Sequence, residues 1–299
     1  MKLHLPVGAL LLKAAFKKWN EKDPFRESAV IAYYAIFSLP GLLVLVMTLA
    51  GEFFGREVVR GMLQSQFVDA LGKDTAGQIL GMAALAHQGK NSVWGALIGL
   101  ITILVGATGV FVQLQKSLNI IWEVKATPSK SGIWALLRVR LFSFGLIVSI
   151  AFLLLVSLVI ASILAAVSKW LQGTWPGTTV LIFQIVNFLI SLSTISVLFA
   201  LMFKILPDAK IKWRYVWVGA LVTGGLFELG KFGLGLYFGQ VQPGSSYGAA
   251  GSIVLILLWV SYSAMILFYG AEFTKAWADH YHGFVAAGAQ AVAQPGRER

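Results

Sequence analysis

The stretch from Trp213 to Gln240, WRYVWVGALVTGGLFELGKFGLGLYFGQ, constrains the chain more than any other, because it is apolar enough to span a bilayer yet contains Glu228 and Lys231. A charge inside a membrane helix is costly and calls for a partner or a function. A spacing of three places both side chains on one helical face, where acid and base neutralise each other. Steps of three and four extend that face through Ala220, Gly224, Gly235 and Gly239, all of them small. Such a face suits close helix contact or a polar cavity better than lipid. The stretch is therefore expected inside a helical bundle, with its charged pair near the membrane midplane.

The rest of the chain fits that expectation. Of its 299 residues, 58% are hydrophobic and only 12% charged, too apolar for an ordinary soluble domain. A polytopic membrane protein follows. The absence of cysteine excludes disulfides, thiolate nucleophiles and cysteine-ligated metal centres. The formal net charge of +11 would suggest nucleic acid in a soluble protein, but in a membrane protein its distribution carries the information.

Residues 1–27 read as an interfacial amphipathic segment on the cytoplasmic side, with Leu12, Ala15, Phe16 and Trp19 on one helical face and Lys13 and Lys17 elsewhere. The apolar run after Lys2 is short, holds Pro6 and meets Lys13, unlike a secretory signal. A transmembrane domain over 28–275 then holds six spans, at about 28–51, 93–112, 141–167, 180–205, 215–239 and 248–275. Pro40 and Gly41 in the first span are expected to kink or unwind it and to act as a hinge. Tyr34 and Ser38 give that span a polar side. The connection from Glu52 to Asn91 has helical patterning but balanced charge, and is expected to fold as amphipathic helices on the outer surface. Residues 276–299 read as a flexible cytoplasmic tail.

Two stripes stand out besides the charged one. Gly95, Gly99, Thr102, Gly106 and Gly109 line one face of the second span, a pattern favouring plain helix packing. Gln184, Asn187, Ser191 and Thr194 line one face of the fourth, where interhelical hydrogen bonds and a polar cavity explain them equally well.

Orientation comes from the basic residues. Lysine and arginine number six before residue 28, five over 113–140 and four over 204–214, against one over 168–179 and none over 240–248. The positive-inside rule then puts both termini in the cytoplasm.

Several pieces together resemble the YihY/BrkB family of bacterial inner-membrane proteins. They are Ala32-Tyr33-Tyr34 with Phe37-Ser38-Leu39-Pro40, Leu118-Asn119 with Ile121-Trp122, Arg138 and Arg140-Leu141, and Leu206-Pro207. Further on come Trp213-Arg214 with Gly219-Ala220, Glu228 with Lys231, Tyr247-Gly248-Ala249 with Gly251, Leu258-Trp259 with Tyr262, and Gly270-Ala271-Glu272. No single piece is diagnostic, and their order is what carries the resemblance. It implies a six-helix protein of the bacterial inner membrane linked to the cell envelope, with proposed parts in serum resistance and in handling envelope lipid, but no settled biochemical activity.

The family's older label, ribonuclease BN, does not fit the residues. Metal-dependent RNA cleavage needs several histidines and carboxylates converging on one exposed face. Here His4 and His87 are isolated, and His280 and His282 lie in the tail beside Asp279 at no strong metal spacing. No enzymatic activity, metal, cofactor or nucleic-acid partner is therefore expected.

Glu228 and Lys231 keep two readings, a structural clasp between helices or a substrate- or proton-binding site in a cavity lined by Tyr34, Ser38, Gln184 and Asn187. Arg138 and Arg140 at the cytoplasmic mouth read as topology determinants or as binders of anionic lipid head groups, with Glu272 their partner or facing water. The leading expectation is a transporter or flippase-like carrier of an amphiphile such as a lipid or lipid-linked precursor. Membrane lipids are its expected partners, beside an envelope-assembly protein or a second copy of the chain. The alternative is a non-transporting scaffold for envelope-assembly enzymes.

Overall fold

The computed structural model describes residues 7–71, 76–81, 93–126, 178–241, 250–282 and 291–293, and these are nearly all helical. Helix α1 (Val7–Glu21) turns at Asp23 into α2 (Pro24–Phe54), and Gly55 turns α2 into α3 (Arg56–Leu71). A short helical segment covers 76–81. Then follow α4 (Val93–Ile121), strand β1 (Val124–Ala126), α5 (Thr178–Ile205), α6 (Trp213–Val241), α7 (Gly251–His282) and strand β2 (Ala291–Ala293). Five of the six expected spans correspond to α2, α4, α5, α6 and α7. The sixth, at 141–167, lies outside the described residues, as do Arg138 and Arg140.

The turns follow from local chemistry. Asp23 adopts a left-handed φ of 48°, which a short polar side chain tolerates, and Pro24 supplies the preset φ of a first helical residue. Gly55 has φ 84°, and its N–H reaches Gly51 O at 3.0 Å, closing α2 before the chain enters α3. The backbone of α2 stays helical through Pro40 and Gly41, so the unwinding expected there is not seen.

Helix α2 packs along α4 and α7, while α6 lies between α5 and α7, and α1 rests on α7. Two glycines of the second-span stripe explain the first contact. A Cβ on Gly106 would stand 2.9 Å from Ser38 N, and one on Gly109 would stand 2.7 Å from Tyr34 Cγ. The polar side of α2 thus meets the glycine face of α4, as close membrane-helix packing requires. A second close approach joins α6 to α7. Gly219 faces Thr274 and Gly270 faces Thr223, and each threonine hydroxyl donates to the carbonyl four residues back in its own helix, Thr223 to Gly219 at 2.6 Å and Thr274 to Gly270 at 2.7 Å.

The main core joins Leu118, Trp122, Phe203, Val216, Ala220 and Ala271 from α4 to α7. At the opposite end, Ile79 meets Leu43, Phe238, Leu255 and Ile256, with Leu63 and Phe67 of α3 packed on them. The described parts of the connection after α2 are therefore helical, as its patterning predicts, and they pack onto the bundle. Two helices, over Phe183–Ile205 and Gly251–Tyr281, are long and apolar enough to cross a membrane among the described residues.

Two expectations change. The fold is not purely α, since β1 and β2 pair antiparallel with Val124 opposite Ala293. Nor is the tail from Ala276 simply flexible, because α7 continues to His282 and residues 291–293 form β2. Trp277 and Tyr281 pack with their rings tilted by 45° and 4.8 Å between centroids in the last turns, which gives that extension its own contacts.

Candidate functional site

Helix α6 positions Glu228 and Lys231 as the spacing predicts. The Lys231 ammonium lies 2.9 Å from Glu228 Oε2, and the side chains are 35% and 8% exposed respectively. Ser191 of α5 donates to Glu228 Oε1 at 2.6 Å. Both carboxylate oxygens thus have a donor, which an acid held between apolar helices requires. Gly224 stands one turn before Glu228, where a Cβ would be 2.6 Å from Ser196 Oγ, so α5 and α6 touch at this level. Gly235, one turn after Lys231, has open space around it. The face therefore closes toward Gly224 and opens toward Gly235. Beyond it, Leu229, Phe232 and Leu236 are exposed apolar residues.

The polar stripe of α5 divides. Ser191 binds Glu228, and Thr194 turns back to Ile190 O at 2.9 Å. Gln184 and Asn187 are exposed, beside Ile185, Phe188 and Leu189 on the same helix. Tyr34 and Ser38 pack on α4, and the Ser38 hydroxyl donates to Ala35 O at 3.1 Å. So of the six residues expected to line one cavity, the structure joins Glu228 and Lys231 and adds Ser191, while Tyr34 and Ser38 pack on α4 and Gln184 and Asn187 lie exposed on α5.

A second polar cluster was not singled out from the sequence. It sits where the α1–α2 turn, the end of α4, the α5–α6 connection and the end of α7 gather. Glu272, 1% exposed, does not face water: Lys22 pairs with its Oε1 at 2.5 Å and also donates to Ile121 O at 3.3 Å. Lys275, equally buried, pairs with Glu123 beyond the end of α4. Glu27 accepts from Gln113 at 2.5 Å and from Ser117 at 2.7 Å. Reciprocal bonds close the group: Asn119 Nδ2 donates to Asp208 Oδ2 at 2.8 Å, while Asp208 N–H donates to Asn119 Oδ1 at 2.8 Å. These residues come from four distant segments, so no local spacing links them. Only the density of charge at this end hinted at the cluster.

The Asn119–Asp208 clamp yields one prediction. Asn119→Ala removes both bonds, leaving the Asp208 N–H without its acceptor and the carboxylate with the longer bonds from Gln115, at a cost of about 1–3 kcal/mol. Thermal unfolding of the purified protein is expected to show a clearly lowered Tm, and an unchanged Tm would mean that the clamp contributes nothing. Among the described residues, no three His, Cys, Asp or Glu side chains are placed to hold a metal ion.

Long apolar helices, glycine-mediated packing and a charged pair held between helices define an α-helical membrane protein. The chain belongs to the family described as virulence factor BrkB, whose model matches residues 15–294. Curated relatives carry the name UPF0761 membrane protein. One from Pseudoalteromonas atlantica is 27% identical over 84% of this chain and 80% of the relative. Another, from Vibrio vulnificus, is 25% identical over 94% of this chain and 88% of its own length. A third, from Saccharophagus degradans, is 26% identical over 88% of this chain but only 58% of its own, so some relatives are considerably longer. No solved structure matches the chain.

Proposed function

We propose that the protein is a non-enzymatic, multi-pass carrier of the bacterial inner membrane, with six spans and both termini in the cytoplasm, that moves an amphiphilic or lipid substrate in envelope biogenesis. The observation supporting this reading is the asymmetry of the Glu228 site. Its carboxylate is closed in by Ser191, whereas its ammonium partner is about one-third exposed, at the open end of the face and beside exposed apolar residues. An anionic head group can take over Lys231 while its chains lie along Leu229, Phe232 and Leu236. Glu228 is then left with Ser191 alone, so binding of the head group is coupled to opening of the ion pair.

Cysteine scanning tests the site without interference, since the chain has no native cysteine. Gly235→Cys, in open space on the charged face, is expected to react with a water-soluble thiol reagent, and Leu229→Cys, on the apolar face, is expected to stay inert in the membrane. Inertness at both positions in the folded protein would end the cavity reading. The occupancy of both Glu228 oxygens favours a second reading, a closed clasp in a scaffold for envelope-assembly proteins.

A further inference from the structure

The end of the bundle where α1 turns into α2 carries a cleft unrelated to Glu228. Carboxylates of Glu21, Asp23, Glu27 and Glu272 line it together with the cations Lys22 and Arg26, so acid is in excess. The C-terminal end of α4 at Ile121, whose carbonyl already accepts from Lys22, adds its dipole to the negative side. One atom in this wall has an unmet need. Glu272 is 1% exposed and its Oε1 is taken by Lys22, yet among the described residues its Oε2 gains no hydrogen bond in place of water. A buried carboxylate oxygen left so is costly and calls for a donor.

The donor has to come with positive charge and fit beside aromatic rings, since Trp19 and Phe268 line the same cleft. Multivalent metal ions need several converging oxygens, and no such group of side chains occurs among the described residues. A primary ammonium fits better: its N–H groups are satisfied by one or two carboxylate oxygens, and aromatic faces attract it. We propose that this cleft binds a primary ammonium, with Glu272 Oε2 as the acceptor, Glu27 as the adjacent counter-charge and Trp19 and Phe268 as the walls. Glu27 is already held by Ser117 and Gln113, so this part of the site is formed before the ligand arrives. A soluble amine and the head group of an aminophospholipid present the same chemistry.

The test uses the full chain. Ethanolamine is titrated calorimetrically into the detergent-purified protein, and nanodiscs of phosphatidylglycerol with and without phosphatidylethanolamine are compared by native mass spectrometry of the retained lipid. Saturable binding is expected, weakened at least tenfold by Glu272→Gln. Binding of the free amine alone identifies a soluble ligand, and retention of phosphatidylethanolamine alone identifies the lipid; either supports the site. Absence of saturable binding in both arms overturns it, and so does full binding by a folded Glu272→Gln protein. Should that variant fail to fold, tetramethylammonium replaces it as a competitor on the native protein. Carrying charge but no N–H, it is expected to compete at least tenfold more weakly than ethanolamine, and equal competition overturns the proposal.

Discussion

Gly219→Leu is expected to prevent assembly of the bundle, and Gly219→Ala to lower the Tm of the purified protein substantially. A Cβ at Gly219 would sit inside the Thr274 side chain, with Thr274 Cβ only 2.7 Å away, and one at Gly270 would meet Thr223 Cβ at 2.8 Å. The two sites lie four residues apart on each helix and are reciprocal, so α7 cannot move away from one without disturbing the other. Rotating the threonines offers little relief, because their hydroxyls are fixed to Gly219 O and Gly270 O and both side chains are fully buried. Overpacking of this kind costs about 1–3 kcal/mol for a single methyl where the surroundings adjust, and more where two rigid helices must part. Pairing Gly219→Ala with Thr274→Gly moves the bulk from one helix to the other. That double variant is expected to recover most of the Tm, less the roughly 1 kcal/mol that glycine costs within a helix. Equal Tm values for the wild type and Gly219→Ala would show that the α6–α7 crossing is looser than its geometry indicates.

That crossing also marks the limit of what periodicity reveals. The stripe Ala220, Gly224, Glu228, Lys231 was legible because small and charged residues recurred at steps of three and four on an apolar helix. Gly219 and Gly270 recur with nothing; each matters because of a threonine on another helix, far away in the chain. The span positions were legible for a related reason, since hydropathy is a local sum and α4, α5, α6 and α7 begin within three residues of their expected starts. Helix ends were less so: α4 runs on to Ile121 and α7 to His282 beyond their apolar cores, because polar residues there bond to other segments rather than to water. Glu272 shows the consequence for sites. Its chain neighbours suggested a mouth facing arginines, whereas its partner Lys22 lies 250 residues earlier. Tyr34 and Ser38 were assigned to a cavity because a polar side on an apolar helix invites one, yet the glycines of α4 give those same side chains a packing surface. A polar stripe read alone does not distinguish the two, since both arrangements satisfy the same hydrogen-bonding demand.

Removing one charge of the Glu228–Lys231 pair is expected to hurt far more from one side than from the other. Lys231→Met leaves a carboxylate, 8% exposed, with Ser191 as its remaining donor, and an uncompensated buried charge costs about 3–5 kcal/mol. In the reverse change, Glu228→Gln keeps an acceptor for Ser191 and leaves an ammonium that is about one-third exposed and long enough to turn toward the open end of its face. A loss of about 1 kcal/mol is expected. The double variant carries no charge to bury, so its Tm is expected near that of Glu228→Gln and above that of Lys231→Met. Thermal unfolding of the three purified variants measures this order, and equal losses from the two single changes would mean that both charges are equally enclosed. The order of stabilities leaves function free to separate the two readings. In the double variant the clasp is replaced by neutral groups of similar size, so a scaffold keeps working. A carrier that needs Lys231 for an anionic head group and Glu228 to hold that lysine in place loses lipid movement in reconstituted vesicles while its Tm stays close to normal. Retained movement in a folded double variant would remove the pair from the transport path and leave it as a clasp between α5 and α6.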